Sequence, residues 1–61
     1  MKKIDAIKLF GKTQTDLGNA LGGKKKAAIS RWPDVLDDDR KNMVIGAAYR
    51  KGIAIPKEML D

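Results

Sequence analysis

The sequence has no cysteine and no histidine. Without cysteine there is no disulfide and no thiolate metal site to reinforce a small fold. Without histidine the chain lacks the commonest general base, the commonest metal ligand and the usual proton switch near neutral pH. Aromatics are scarce, with one Phe, one Trp and one Tyr. RNA-binding surfaces stack bases on aromatic side chains, and Tyr49 is too little for such a platform. No apolar run approaches the roughly 20 residues of a membrane span. The start, Met1-Lys2-Lys3-Ile4-Asp5, is basic, but no signal-peptide apolar stretch follows it. A glycine-rich phosphate loop and paired buried acids are missing too. These absences predict a soluble intracellular protein that is not an enzyme and takes no cofactor, metal or small-molecule ligand.

What the chain does have is charge, unevenly divided. Thirteen Lys and Arg face eight Asp and Glu, for a net charge of +5. Residues 1–31 hold eight of the cations (Lys2, Lys3, Lys8, Lys12, Lys24, Lys25, Lys26, Arg31) against Asp5 and Asp16, a net of +6. Residues 32–61 hold five cations against six acids, a net of −1. A half-chain this basic suits a polyanionic partner, with counter-ion release supplying much of the affinity. Charge alone is equally compatible with a merely solvated surface.

At 61 residues the chain has room for one domain with a thin core. Glycine and proline divide it into short helices. Ile4, Ile7 and Phe10 form an apolar stripe with Ala6 beside them, and Gly11 is placed to end this helix as a left-handed cap. Thr13 is a good N-cap for a second helix, with Asp16 completing a capping-box-like pair. Leu17, Ala20 and Leu21 face inward, and Gly22-Gly23 breaks the helix. Gly18, inside it, costs about 1 kcal/mol against alanine, which calls for close approach of a neighbouring helix.

A third helix is expected over about Lys24 to Trp32, with Ala28, Ile29 and Trp32 inward and Pro33 ending it. Asp34-Val35-Leu36 reads as a connector. Asp37, Asp38 and Asp39 favour a helix start, and that helix runs to about Arg50 with Met43, Val44, Ala47 and Ala48 inward. Three consecutive carboxylates cannot converge on one ion from a single turn, so a metal site is not expected there. Tyr49 is expected to be partly buried, with dimer contact as the alternative. Gly52 caps the helix. Ile53-Ala54-Ile55 is an apolar, extended connector, and Pro56 to Leu60 a short terminal helix whose Met59 and Leu60 fold back onto the core or form a dimer contact. The fold class is all-α: one small domain over residues 1–61, with four to five short helices.

The second and third helices meet at a tight glycine turn, and the third is basic and ends in an inward tryptophan. This is the layout of a DNA-binding helix-turn-helix. B-DNA's major groove just admits a helix, so the outward side chains must be small or polar and the inward ones apolar. The helical period puts Ile29 and Trp32 inward with Ala28 beside them. Lys26, Ala27, Ser30 and Arg31 fall outward, with Lys25 at the edge. Lys and Arg suit guanine O6 and N7, and an alanine methyl suits a thymine methyl. Trp32 as a base-stacking residue is the weaker alternative to Trp32 as core. The Lys24-Lys25-Lys26 run alone would read as a solvated turn, but at the start of this helix it points to phosphate or base contact.

The segment Phe10-Gly11-Lys12-Thr13-Gln14-Thr15-Asp16-Leu17-Gly18-Asn19-Ala20-Leu21-Gly22, followed by Ala27-Ala28-Ile29-Ser30-Arg31-Trp32, resembles the helix-turn-helix of the lambdoid phage Cro repressors. It is most similar to their all-helical members, whose fold is lambda-repressor-like. In that family a glutamine opens the second helix, and a small residue, a glycine, an inward aliphatic residue and often a tryptophan follow. Here those are Gln14, Gly18, Gly22, Ile29 and Trp32. The resemblance covers residues 4–32 well, residues 33–50 loosely and residues 51–61 not at all. The turn is one residue longer than the family's, which leaves open which lysine begins the following helix.

The resemblance implies that Gln14 holds a phosphate and that Lys25, Lys26, Ala27, Ser30 and Arg31 face bases or nearby phosphates, with Lys24 beside them. It also implies a transcriptional repressor in the cytoplasm of a bacterial host cell, bound to a near-palindromic operator in double-stranded DNA as a homodimer. The dimer is expected to be weak and to form mainly on DNA. The alternative is a protein-interaction module, an anti-repressor or adaptor, on the same scaffold. A basic, lysine-rich outer face argues against that alternative, since interface cores are depleted in lysine.

Overall fold

A computed structural model describes residues 1–60 as five helices around one core. They are α1 (Lys3–Phe10), α2 (Gln14–Ala20), α3 (Lys26–Ser30), α4 (Asp38–Lys51) and α5 (Lys57–Leu60). The all-α expectation holds, and the starts of α2 and α4 fall where local chemistry puts them. Thr13 Oγ1 accepts from the Asp16 N–H at 3.2 Å, and the Asp16 carboxylate accepts from the Thr13 N–H at 3.2 Å. This reciprocal box satisfies donors that the start of α2 would otherwise leave unpaired. Asp37 caps α4 by accepting from the Arg40 N–H at 3.1 Å.

The far ends of α2 and α4 close in the same way. Gly22 N–H donates to the Asn19 carbonyl at 3.3 Å and Gly23 N–H to the Gly18 carbonyl at 3.1 Å. Gly52 N–H donates to Tyr49 and Ile53 N–H to Ala48, at 3.2 and 2.9 Å. Each pair of bonds is a Schellman ending, which needs a residue at positive φ. Gly22 and Gly52 supply it, at φ 92° and 70°. Gly11 also ends its helix, but at φ 152° and ψ −135° it lies outside the left-handed helical well predicted for it.

Leu17, Ile29 and Val44 are the largest fully buried side chains, one each from α2, α3 and α4. Burying each contributes about 1.5–3 kcal/mol. Ala6, Ala47 and Ala48 let the helices approach, and Met1, Trp32 and Leu36 complete the buried set. Ile55, Met59 and Leu60 pack against it from the tail, so the C-terminal segment closes the core. The Lys41 ammonium donates to the Leu60 carbonyl and ties α5 to α4.

Several inward assignments are corrected. Ile4 is 57% exposed and Tyr49 79% exposed, while Met43 sits at the margin at 37%. On α4 the buried positions are Val44, Ala47 and Ala48, and Tyr49 lies on the opposite face. On α1, Ala6 is the buried residue, with Ile7, Leu9 and Phe10 half-buried around it. Residues 53–55 form no strand, and Pro56 precedes α5 rather than opening it. The connector Asp34–Leu36 is not free either. Lys3 N–H donates to the Asp34 carbonyl and Leu36 N–H to the Met1 carbonyl, both at 2.8 Å, around a single antiparallel bridge of Lys2 with Val35. That pairing is what carries Met1 and Leu36 into the core.

Candidate nucleic-acid interface

α2 packs against both α1 and α3, and the chain between α2 and α3 folds back tightly on α2. Gly18 makes this possible. Its carbonyl accepts from the Gly23 and Lys24 N–H groups at 3.1 and 2.9 Å. A methyl group at Gly18 would run into the Lys24 carbonyl oxygen, and would also touch Ile29 Cγ1 at 3.7 Å. The expected close approach is therefore present, but the hard neighbour is the backbone of the turn rather than a helix.

α3 is shorter than predicted. Lys24 and Lys25 precede it, Lys25 in the N-cap position with extended backbone and no side-chain cap, and Lys26 is its first residue. The helix is anchored by Ile29, fully buried, and by Trp32 just beyond its end, also buried. Trp32 is thus a core residue. Lys24, Lys25, Lys26, Ala27, Ala28, Ser30 and Arg31 are all exposed. Ala28 was expected to lie inward; a five-residue helix has only Ile29 turned to the core, and Ala28 joins the small-residue surface.

None of Lys24, Lys25, Lys26 and Arg31 has an ion-pair partner among the described residues, where the only salt bridge is Arg40 with Asp37. Nor does any of the four make a side-chain hydrogen bond there. The first turn of α3 holds no acid. Three lysines stand at a helix end whose dipole favours anions.

Gln14 is the first residue of α2 and is half-buried. Its Oε1 is shut off from solvent and has no hydrogen-bond partner among the described residues. A phosphate requires a donor, so Gln14 can serve one only through its amide nitrogen. Just before α2, the Asp16 carboxylate accepts from the Lys12 N–H at 2.9 Å as well as from Thr13. Those backbone donors, Lys12 first, hold the Asp16 carboxyl below the usual carboxylate range.

Two supporting side chains escaped the sequence reading. Lys3 Nζ donates to the Trp32 carbonyl at 3.2 Å, and the Arg40 guanidinium lies over the Trp32 ring, 5.7 Å from its centroid. The Asp37–Arg40 spacing hints at an ion pair on one helix turn. Nothing local links either cation to Trp32.

Among the described residues no three acids come together as a metal site, and Asp37, Asp38 and Asp39 serve the start of α4. No helix is long and apolar enough to cross a membrane. Comparison with protein-family models, curated proteins and solved structures finds no match.

Proposed function

We propose that this chain is a sequence-specific repressor of the Cro kind, which binds double-stranded DNA with α2 and α3 as a helix-turn-helix and α3 in the major groove. One observation carries the reading. From Lys24 to Arg31 the only buried side chain is Ile29, and the four cations of the segment have no partner among the described residues. Those cations do nothing for the fold. Lys24 and Lys25 precede α3 and Lys26 opens it, at the end where a helix dipole disfavours cations, and local rules broken in this way mark functional surface. A phosphate backbone supplies the missing anions.

The remaining features fit that partner. Ala27, Ala28 and Ser30 keep the surface of α3 slim enough to approach base edges, with methyls for thymine and a hydroxyl for a base or phosphate. Lys26 and Arg31 suit guanine, while Lys24, Lys25 and the Gln14 amide nitrogen suit phosphates. A five-residue helix is only about 7.5 Å long. At about 3.4 Å per base along a strand it spans little more than two base pairs. One copy therefore reads too little for a selective site. Two copies on half-sites one helical turn apart double the reading, which calls for a near-palindromic operator and a homodimer formed mainly on DNA. A repressor of this kind works in the cytoplasm of its bacterial host.

The test separates base reading from charge. Arg31→Ala and Lys26→Ala should each cost about 1–3 kcal/mol on a preferred duplex and relax preference at one position, with a smaller loss on random DNA. Equal losses on both would leave only phosphate contact, and no measurable duplex binding would remove the proposal.

A further inference from the structure

The exit of α3 is gripped from two sides. On the α4 side the Arg40 guanidinium covers the buried Trp32 ring. Asp37 holds that guanidinium, accepting from Arg40 Nη1 at 2.8 Å with one carboxylate oxygen and from the Arg40 N–H at 3.1 Å with the other. On the α1 side Lys3 Nζ holds the Trp32 carbonyl. Trp32 N–H donates back to the Ile29 carbonyl at 3.0 Å, and Arg31 N–H to Ala28 at 3.3 Å. Ser30 and Arg31 are thus the two exposed residues between the buried anchors Ile29 and Trp32, and the backbone of Arg31, next to Trp32, is fixed by whatever fixes Trp32.

An exposed i,i+3 ion pair contributes little to stability. Arg40 differs from such a pair in its third contact. A guanidinium over an indole face is attracted by the ring, and the Asp37 carboxylate holds the same guanidinium. We propose that Arg40 is a positioning residue for Arg31: pinned by Asp37, it clamps Trp32 and sets the direction in which Arg31 leaves α3. This rests on the reading of α3 as the element that contacts DNA. It adds that selectivity depends on a residue of α4 that makes no base contact itself.

Asp37→Asn gives the decisive test. Asparagine remains a good N-cap, so α4 keeps its start, but the ion pair to Arg40 is lost. The change also removes a negative charge, so electrostatics alone predict tighter binding to every duplex. The full chain carrying D37N, R40K or R40Q is compared with wild type on a duplex enriched from a random pool by wild type, and on a random duplex of equal length. Emission and acrylamide quenching of Trp32, the only tryptophan, are read on the DNA-free protein.

D37N and R40Q should lower the ratio of enriched to random affinity by about 2- to 5-fold, the size an exposed cation–π contact supports. R40K should fall between these variants and wild type, and Trp32 should become easier to quench in D37N and R40Q. A D37N protein that binds both duplexes more tightly in parallel, with Trp32 quenching unchanged, overturns the positioning role. Wild type showing no preference for any enriched duplex overturns the DNA reading and this proposal with it. That failure appears before any variant is made, so the two are distinguishable.

Discussion

Charge is used differently around α4 and in the Lys24–Arg31 segment. Around α4 several charges have work inside the molecule. Asp37 caps α4 and pairs with Arg40, Arg40 covers Trp32, and Lys41 ties down Leu60. Asp38 and Asp39 stand in the first turn of α4 and Arg50 and Lys51 in its last, the ends its dipole favours. In the segment that leads into Trp32, Lys24, Lys25, Lys26 and Arg31 have no ion pair among the described residues. Chemically similar residues therefore carry two meanings within thirty positions of one chain. Charge that satisfies a neighbour is explained by the fold. Charge that satisfies none is what the proposed DNA contact draws on.

The sharpest way to break this contrast is to exchange anchor for surface within α3. Ile29→Ala removes one of three large fully buried side chains and should cost about 2–5 kcal/mol in urea unfolding. Lys26→Ala, three residues away, should stay within about 0.5 kcal/mol of wild type. Similar losses for both would mean that the lysine face does support the fold.

Gly18→Ala comes next. Helix propensity alone predicts a gain of about 1 kcal/mol. The Lys24 carbonyl occupies the space a methyl would need, so a net loss of about 1–3 kcal/mol is expected by thermal unfolding. A stabilised variant would show that the turn does not press on α2 as described.

The smallest effect concerns Asp16. Its folded carboxyl is held below the ordinary aspartate value by the Lys12 and Thr13 backbone donors. Its contribution to stability is therefore present above the unfolded-state pKa, and is lost as pH falls through the lower folded one, below about pH 4. Asp16→Asn should flatten the acid limb of a stability–pH curve in that window. An unchanged limb would place the acid sensitivity in other carboxylates.

Helix ends were legible in the sequence because caps are local. Thr13 with Asp16, Asp37 ahead of α4 and Gly52 each act within four residues of their effect, whereas α3 stops at Ser30, short of the end expected from Pro33. Inward faces were legible only where neighbours surround a helix. Tyr49 and Ile4 lie on helices with one open side, and a stripe of apolar residues does not say which neighbours exist. The helical period places Ala28 beside Ile29 and Trp32 in a helix running from Lys24 to Trp32. The turn keeps Lys24 and Lys25 out of the helix, and the short piece left has one buried position. Lys24, Lys25, Lys26, Ala27, Ser30 and Arg31 are exposed, while Gln14 is half-buried. The Gln14 oxygen, enclosed and unpartnered among the described residues, and the Arg40 cover on Trp32 depend on packing between elements, which no local spacing encodes. Pairing of Met1–Lys3 with Asp34–Leu36 depends on it too.

The most direct measurement is selection from a random pool of duplex oligonucleotides at low and at near-physiological salt. Enrichment of a two-fold symmetric sequence, with half-sites about one helical turn apart and affinity falling steeply as salt rises, is the expected result. A pool that stays random at both salt concentrations, while the folded protein is shown to be intact, would contradict the assignment of the Lys24–Arg31 face to DNA.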